Sequence, residues 1–200
     1  NAVAISADGA YIVSGSSDSK ISFFAKDSST PEWSYTANDV VVSVAISSNG
    51  DYLVAGTSSG SSSKVYFFDT DYDSPEWKRT IGGTAYDVAI SDDGEYIVVG
   101  SSDNKVYFFS KDDSIPLWNY SADGEVDSVA ISADGEYITA GGADNKVYLF
   151  DKDSSTPLWS YTTGDYVVSV AISADGEYIV AGSADDKVSL FDKDSSTLLW

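Results

Sequence analysis

The chain contains no cysteine and no histidine. That removes disulfides, thiolate metal sites, the commonest zinc ligand, the commonest general base and the one side chain that titrates near neutrality. Methionine is also missing, so residue 1 is not an initiator. The expectation is that Asn1 follows a processing site or that the sequence is an excerpt of something longer. Arginine occurs once, as Arg79, and 11 basic residues face 32 acidic ones, for a net charge of −21. A nucleic-acid binder needs a basic footprint to displace phosphate counterions, and this chain has the opposite sign. An anionic membrane surface would repel it as well. No apolar run reaches the ~20 residues of a membrane-spanning helix and no signal-peptide pattern is present, so no membrane insertion is expected. The charge suits cations (Ca²⁺ among them), basic proteins or neutral glycans, and it also serves solubility alone.

What is present is enough apolar material for a core, 42% hydrophobic and 14% aromatic residues, distributed with a strict period. Val-Ala-Ile-Ser recurs at Val3, Val44, Val88, Val129 and Val170, at spacings of 41, 44, 41 and 41. Trp33, Trp77, Trp118, Trp159 and Trp200 keep the same beat, and so do the turn glycines Gly9, Gly50, Gly94, Gly135 and Gly176. The three extra residues of the second copy fall in the Ser/Gly run from Ser58 to Ser63, where a surface hairpin absorbs an insertion cheaply.

Each copy reads as four short strands. In the last, Val167–Ser173 is an apolar β-branched run, Asp175-Gly176 a turn, Tyr178–Gly182 a second strand and Lys187–Phe191 a third. A polar linker then leads to a fourth strand that ends at Trp200. Short strands with turns every 8–12 residues mark an antiparallel meander. Segments such as Val106-Tyr107-Phe108-Phe109 are apolar without alternation, the mark of strands covered on both faces. Sheets of a propeller are covered in that way by their neighbours, whereas a sandwich leaves one face wet. The predicted fold is therefore all-β, a single β-propeller domain over residues 1–200 with about five four-stranded antiparallel blades, at approximately 1–36, 37–80, 81–121, 122–162 and 163–200. The expectation is a closed five-bladed ring held by side-chain packing between the first and last blades. The alternative is a fragment of a seven- or eight-bladed propeller.

The segment Ser169–Ser183 resembles the first half of a WD repeat, and Leu149–Tyr161, with its Leu158-Trp159 pair after an Asp-rich turn, resembles the quinoprotein-type (PQQ-like) propeller repeat. The Gly-His pair of WD repeats has no counterpart, and Phe68-Asp69, Phe150-Asp151 and Phe191-Asp192 stand in place of Trp-Asp. The buried polar network tied to those WD residues is expected to be missing. Such repeats are common in secreted and surface proteins, which together with the acidity implies an extracellular or cell-surface location.

The candidate metal ligands are the alternating acids Asp151 and Asp153, Asp192 and Asp194, and Asp69 and Asp71, whose spacing within one turn suits oxygen ligation of Ca²⁺. No EF-hand glycine or closing glutamate accompanies them. The Asp-Gly pairs read as hairpin turns. The five tryptophans read as docking residues between blades, with sugar stacking as the functional alternative. Lys78-Arg79, the one basic pair, reads as an edge charge that discourages strand pairing, or as a partner contact. The copies diverge most in the loops that enter each first strand. Asp39, Tyr86, Asp87, Asp127, Asp165 and Tyr166 in or beside them are the candidates for a binding mouth. The leading reading is a non-catalytic scaffold for protein interaction or a cell-surface assembly, with no cofactor. A Ca²⁺-dependent or glycan-binding module comes second and a quinoprotein-like enzyme third. The expected partners are proteins or glycans, cationic ones included, and further copies of the chain.

Overall fold

The computed structural model describes all residues from Asn1 to Trp200. Nineteen strands form five consecutive antiparallel sheets. The first sheet holds β1 (Ala2–Ile5), β2 (Tyr11–Gly15), β3 (Lys20–Ala25) and β4 (Trp33–Thr36). The second holds β5 (Val41–Ile46), β6 (Tyr52–Thr57), β7 (Lys64–Asp69) and β8 (Trp77–Thr80), and the third β9 (Ala85–Ile90), β10 (Tyr96–Ser101), β11 (Lys105–Ser110) and β12 (Trp118–Ser121). The fourth holds β13 (Val126–Ile131), β14 (Tyr137–Gly142), β15 (Lys146–Asp151) and β16 (Trp159–Thr162). The fifth has three strands, β17 (Val167–Ile172), β18 (Tyr178–Ser183) and β19 (Lys187–Asp192). Within every sheet each strand pairs with the next in sequence, a plain meander. The glycine of each first turn takes positive φ, from 70° at Gly9 to 81° at Gly50, which only glycine adopts without strain. The inserted Gly60–Ser62 is a single 3₁₀ turn.

The sheets pack face to face through four apolar clusters, one per junction. Burial on both faces follows. The four central residues of β7, β11 and β15 are all buried, as their unbroken apolar runs predict. Each junction repeats three contacts. The indole Nε1–H of Trp33, Trp77, Trp118 and Trp159 donates to the next sheet, at the carbonyls of Thr70, Lys111, Lys152 and Lys193, over 2.7–2.8 Å. The turn glycines Gly50, Gly94, Gly135 and Gly176 lie flat against Tyr11, Tyr52, Tyr96 and Tyr137 of the preceding sheet. The amides of Ala7, Ser48, Asp92 and Ala133 donate to the carbonyls of Ser48, Asp92, Ala133 and Ala174, a backbone chain running from sheet to sheet. The tryptophans thus do dock blades together.

Two expectations are corrected. The predicted closed five-bladed ring does not form. Four junctions join five sheets in an open arc, and the end sheets expose Val3 (77%), Ile5 (62%), Val188 (55%) and Trp200 (67%). Packing against two neighbours is what buries a sheet of this composition, and the first and fifth sheets have one neighbour each. The fourth strand predicted to end at Trp200 is also not formed. Its few residues make only a bridge, Phe191 with Leu198, and the bond from the Leu199 amide to the Leu190 carbonyl.

Candidate functional site

The loops that enter each first strand and the turns between second and third strands lie together at one rim. The turn aspartates make the join. Asp103 accepts from the Gly82 amide, Asp144 from the Asp123 amide and Asp185 from the Gly164 amide, at 3.1–3.3 Å. Asp103 and Asp144 also accept the hydroxyls of Tyr107 and Tyr148, at 2.5 and 2.6 Å. Burial and the neighbouring carboxylate push both phenols well above their usual pKa. The WD-repeat network with its histidine is absent, as expected, and this Asp–Tyr–amide network takes its place. Ser189 stands at the tyrosine position in the fifth sheet, where Lys187 Nζ donates to Asp185 at 3.2 Å; Oδ1 of Asp103 and of Asp185 is buried without a partner.

Beneath the rim the first strands of successive sheets pack on one another along the inner side of the arc. Each of β5, β9, β13 and β17 carries a bulge at its start, where the register slips by one residue. The residue squeezed out is Val42, Tyr86, Asp127 or Val168, so the bulge re-aims a side chain that differs from copy to copy. The next residue, Ser43, Asp87 or Ser128, reaches across the junction. Ser43 Oγ accepts the Val88 amide at 3.1 Å, Asp87 the Val129 amide at 2.9 Å and Ser128 Oγ the Val170 amide at 3.2 Å. The two serine hydroxyls flank the acid and donate to it, each at 3.3 Å. Asp87 is therefore an acid in a row of serines, buried enough that its pKa is raised despite these hydrogen bonds.

Of the six mouth candidates the structure brings three close together. Tyr86 and Asp127 are bulge residues and Asp87 lies just behind them. Glu125, which sequence reasoning missed, accepts the Tyr86 hydroxyl at 3.0 Å. Loss of solvent and the Glu125 charge raise the pKa of Asp127, and loss of solvent and the same carboxylate raise that of Tyr86. Ser43 and Ser128 were missed too, although they share Asp87's position in the repeat, which was the available signal. Asp39 and Asp165 cap their own loops instead, accepting the Val40 amide at 2.7 Å and the Tyr166 amide at 2.9 Å. Those two bonds keep both carboxylates on the loop backbone, and Tyr166 is left exposed.

The alternating acids do not converge. Asp69, Asp151 and Asp192 each accept the amide two residues on, at Asp71, Asp153 and Asp194. The second acid of each pair stands exposed, and no three acidic side chains come close enough together to hold a metal ion. The larger concavities are grooves beside the tryptophans. One of about 440 Å³ is lined by Tyr52, Phe67, Glu76, Trp77, Lys111 and Asp112, and its counterpart lies against Tyr11 and Trp33. The indoles offer no free face there. Trp77 lies between Phe67 and Phe109 at 5.3 and 5.5 Å, and Trp118 between Phe108 and Phe150 at 4.9 and 5.4 Å. Lys78 and Arg79 are exposed on the outer edge strand β8.

Comparison with known families follows the same division of the chain. The model of the outer membrane protein assembly factor BamB, built of quinoprotein-type repeats, matches residues 61–200. The chain belongs to the BamB family. Residues 1–24 and 29–69 match the WD domain, G-beta repeat, so both resemblances hold, each on its own stretch. The BamB-type match spans the sheets whose tryptophans reach a Lys carbonyl in the next Asp-Lys or Ser-Lys turn. No curated protein sequence matches the chain. No helix is long and apolar enough to cross a membrane.

Proposed function

We propose that the chain is a non-catalytic binding platform of the cell envelope that holds a basic segment of a protein partner at its inner mouth. The observation that carries this reading is the divergence of the bulged residues. Tyr86 and Asp127 stand where the neighbouring copies have Val42 and Val168, over a half-buried acid where they have serine. A repeat under packing constraints alone has no reason to place a desolvated carboxylate there, because serine makes the same inter-sheet bond. A lysine or arginine at the mouth would meet Asp127, Glu125 and the Tyr86 hydroxyl, in the field of a chain carrying −21. The family match is to a factor named for assembling outer membrane proteins, and WD repeats in general bind proteins, which agrees with a protein partner. An extracellular or surface-exposed position is the finer form of the envelope reading.

Calorimetric titration with a lysine-rich peptide tests this. Binding is expected, weakening as salt screens it, and weaker by roughly tenfold in a chain carrying Asp127→Asn and Glu125→Gln, about one lost charged contact. Heat that is absent, or unchanged by those substitutions, rejects the mouth as the site. Titration with Ca²⁺ in the same cell, with and without chelator, is expected to leave the peptide affinity unchanged. A Ca²⁺-dependent affinity would restore the second reading.

A further inference from the structure

The chain has six asparagines, and five of them have a clear local duty. Asn104 and Asn145 take positive φ, 68° and 65°, in the turns that enter β11 and β15, a conformation that asparagine tolerates better than most residues. The Asn1 amide donates to the Val41 carbonyl, Asn38 accepts the Tyr66 hydroxyl, and Asn49 accepts the Ser47 hydroxyl and the Asp51 amide. Asn119 is different. It lies exposed in the outer strand β12, paired through the backbone with Tyr107, and its side chain makes no hydrogen bond to the rest of the chain. Asparagine is a poor strand former, and the equivalent positions of the other outer strands hold Ser34, Lys78 and Ser160. Neither the turns nor the junctions between sheets call for an amide here.

Asn119 also opens the one Asn-X-Ser/Thr triplet in the sequence, Asn119-Tyr120-Ser121, the acceptor pattern for an N-linked glycan. The strand presents that triplet in a usable form. Burial alternates along β12, with Trp118 and Tyr120 half-buried and Asn119 and Ser121 exposed. Tyr120 is anchored on Tyr148 and Phe150, with ring centroids 5.2 Å away in each case. Asn119 and Ser121 therefore share the opposite face of the strand, the acceptor amide beside the hydroxyl that the pattern requires. We propose that Asn119 is a modification site, the acceptor of a single N-linked oligosaccharide. The donor is an oligosaccharide carried on a lipid diphosphate. Asn119 Nδ2 loses one hydrogen and bonds to C1 of the first sugar, the bond from C1 to the diphosphate breaks, and the lipid diphosphate leaves with the proton. The glycan would also guard an edge. β12 is the outermost strand of its sheet, and a bulky hydrophilic group there discourages pairing with another strand. In the second sheet the charge of Lys78 does that at the same position. The site is on the outer strand, apart from the inner mouth, and does not depend on what the mouth binds.

Mass spectrometry of the protein recovered from the cells that make it tests the proposal, on the intact protein and on its proteolytic peptides. Wild type is expected to be heavier than its sequence by one oligosaccharide, carried on the peptide that contains Asn119. Asn119→Gln and Ser121→Ala, made in the same cells, are expected to lose the added mass completely. Ser121→Thr keeps the pattern and is expected to retain it. All three substitutions fall at exposed positions, and circular dichroism is expected to show each variant folded as wild type is. Ser121→Ala leaves the acceptor amide in place, so its loss of the glycan reports recognition of the triplet rather than removal of the attachment atom. Wild type with the bare mass of its sequence overturns the proposal. So does added mass that survives Asn119→Gln, which would put the modification on another residue, or added mass that survives Ser121→Ala.

Discussion

Asp87 shows how one residue sets a local balance. Its neighbours in the row, Ser43 and Ser128, bridge the inner strands with a hydroxyl, and Asp87 does so with a carboxylate whose pKa burial has raised. A raised pKa means that the folded chain holds the proton more tightly than the unfolded chain, whose value is about 3.9. The charge therefore costs stability above the folded-state pKa and costs nothing below the unfolded one. Asp87→Ser is expected to stabilise the fold at pH 7 by about 1 kcal/mol. The gain should fade as the pH drops below about 4, where Asp87 is protonated in both states. Urea denaturation of wild type and variant at pH 7 and pH 4 checks this. An equal or negative difference at both values would show that the carboxylate is not under strain. The same substitution should weaken the binding of a basic peptide if the mouth is the site.

At the scale of the element, the sheet is the unit that sequence describes and the junction is the unit that holds it. Each of the four formed outer strands contributes one tryptophan whose N–H ends on the next sheet, and the indoles of Trp33, Trp77 and Trp118 each fill the gap between two phenylalanines, while Trp159 pairs with Leu149 and lies against Phe191. Trp118→Phe keeps an aromatic ring between Phe108 and Phe150 but strips the Lys152 carbonyl of its donor. The expected loss is about 1–2 kcal/mol, the worth of one such bond and the cost of its unpaired partner. Thermal unfolding followed by near-ultraviolet circular dichroism would measure it. The strands, turns and junction residues were legible because a 41-residue period repeats the same demand five times. Gly94 could be assigned to a turn from Asp93-Gly94 alone. Its second duty, lying flat on Tyr52 where a Cβ would come within 2.3 Å, could not, since nothing in the local sequence says which ring faces it. The bulges were illegible for a similar reason. Tyr86 and Asp127 look like strand residues, and only pairing with β10 and β14 leaves them out of register.

For the whole molecule, charge and shape work against each other. A net charge of −21 on a chain whose sheets touch only in sequence order makes self-repulsion a global term. Thermal stability is expected to rise by several degrees, ~3–5 °C, between low salt and ~0.5 M NaCl, because screening removes repulsion that the few exposed lysine pairs do not offset. A melting temperature that falls or stays flat over that range would show that the ion pairs, such as Lys146 with Asp123 at 2.9 Å, outweigh the net charge.

The repeat by itself determined an all-β meander of stacked sheets, buried on both faces and joined by aromatic residues, because period, turn chemistry and unbroken apolar strands are local properties that every copy restates. Tertiary structure alone decided three things. It left the arc open, since closure depends on the sum of small angles between sheets and no residue encodes that sum. It gathered Tyr86, Asp87, Glu125 and Asp127, which lie on two different sheets, at one mouth. And it kept the paired acids of the outer turns apart, because each first carboxylate found a backbone amide two residues on before it could find a second carboxylate.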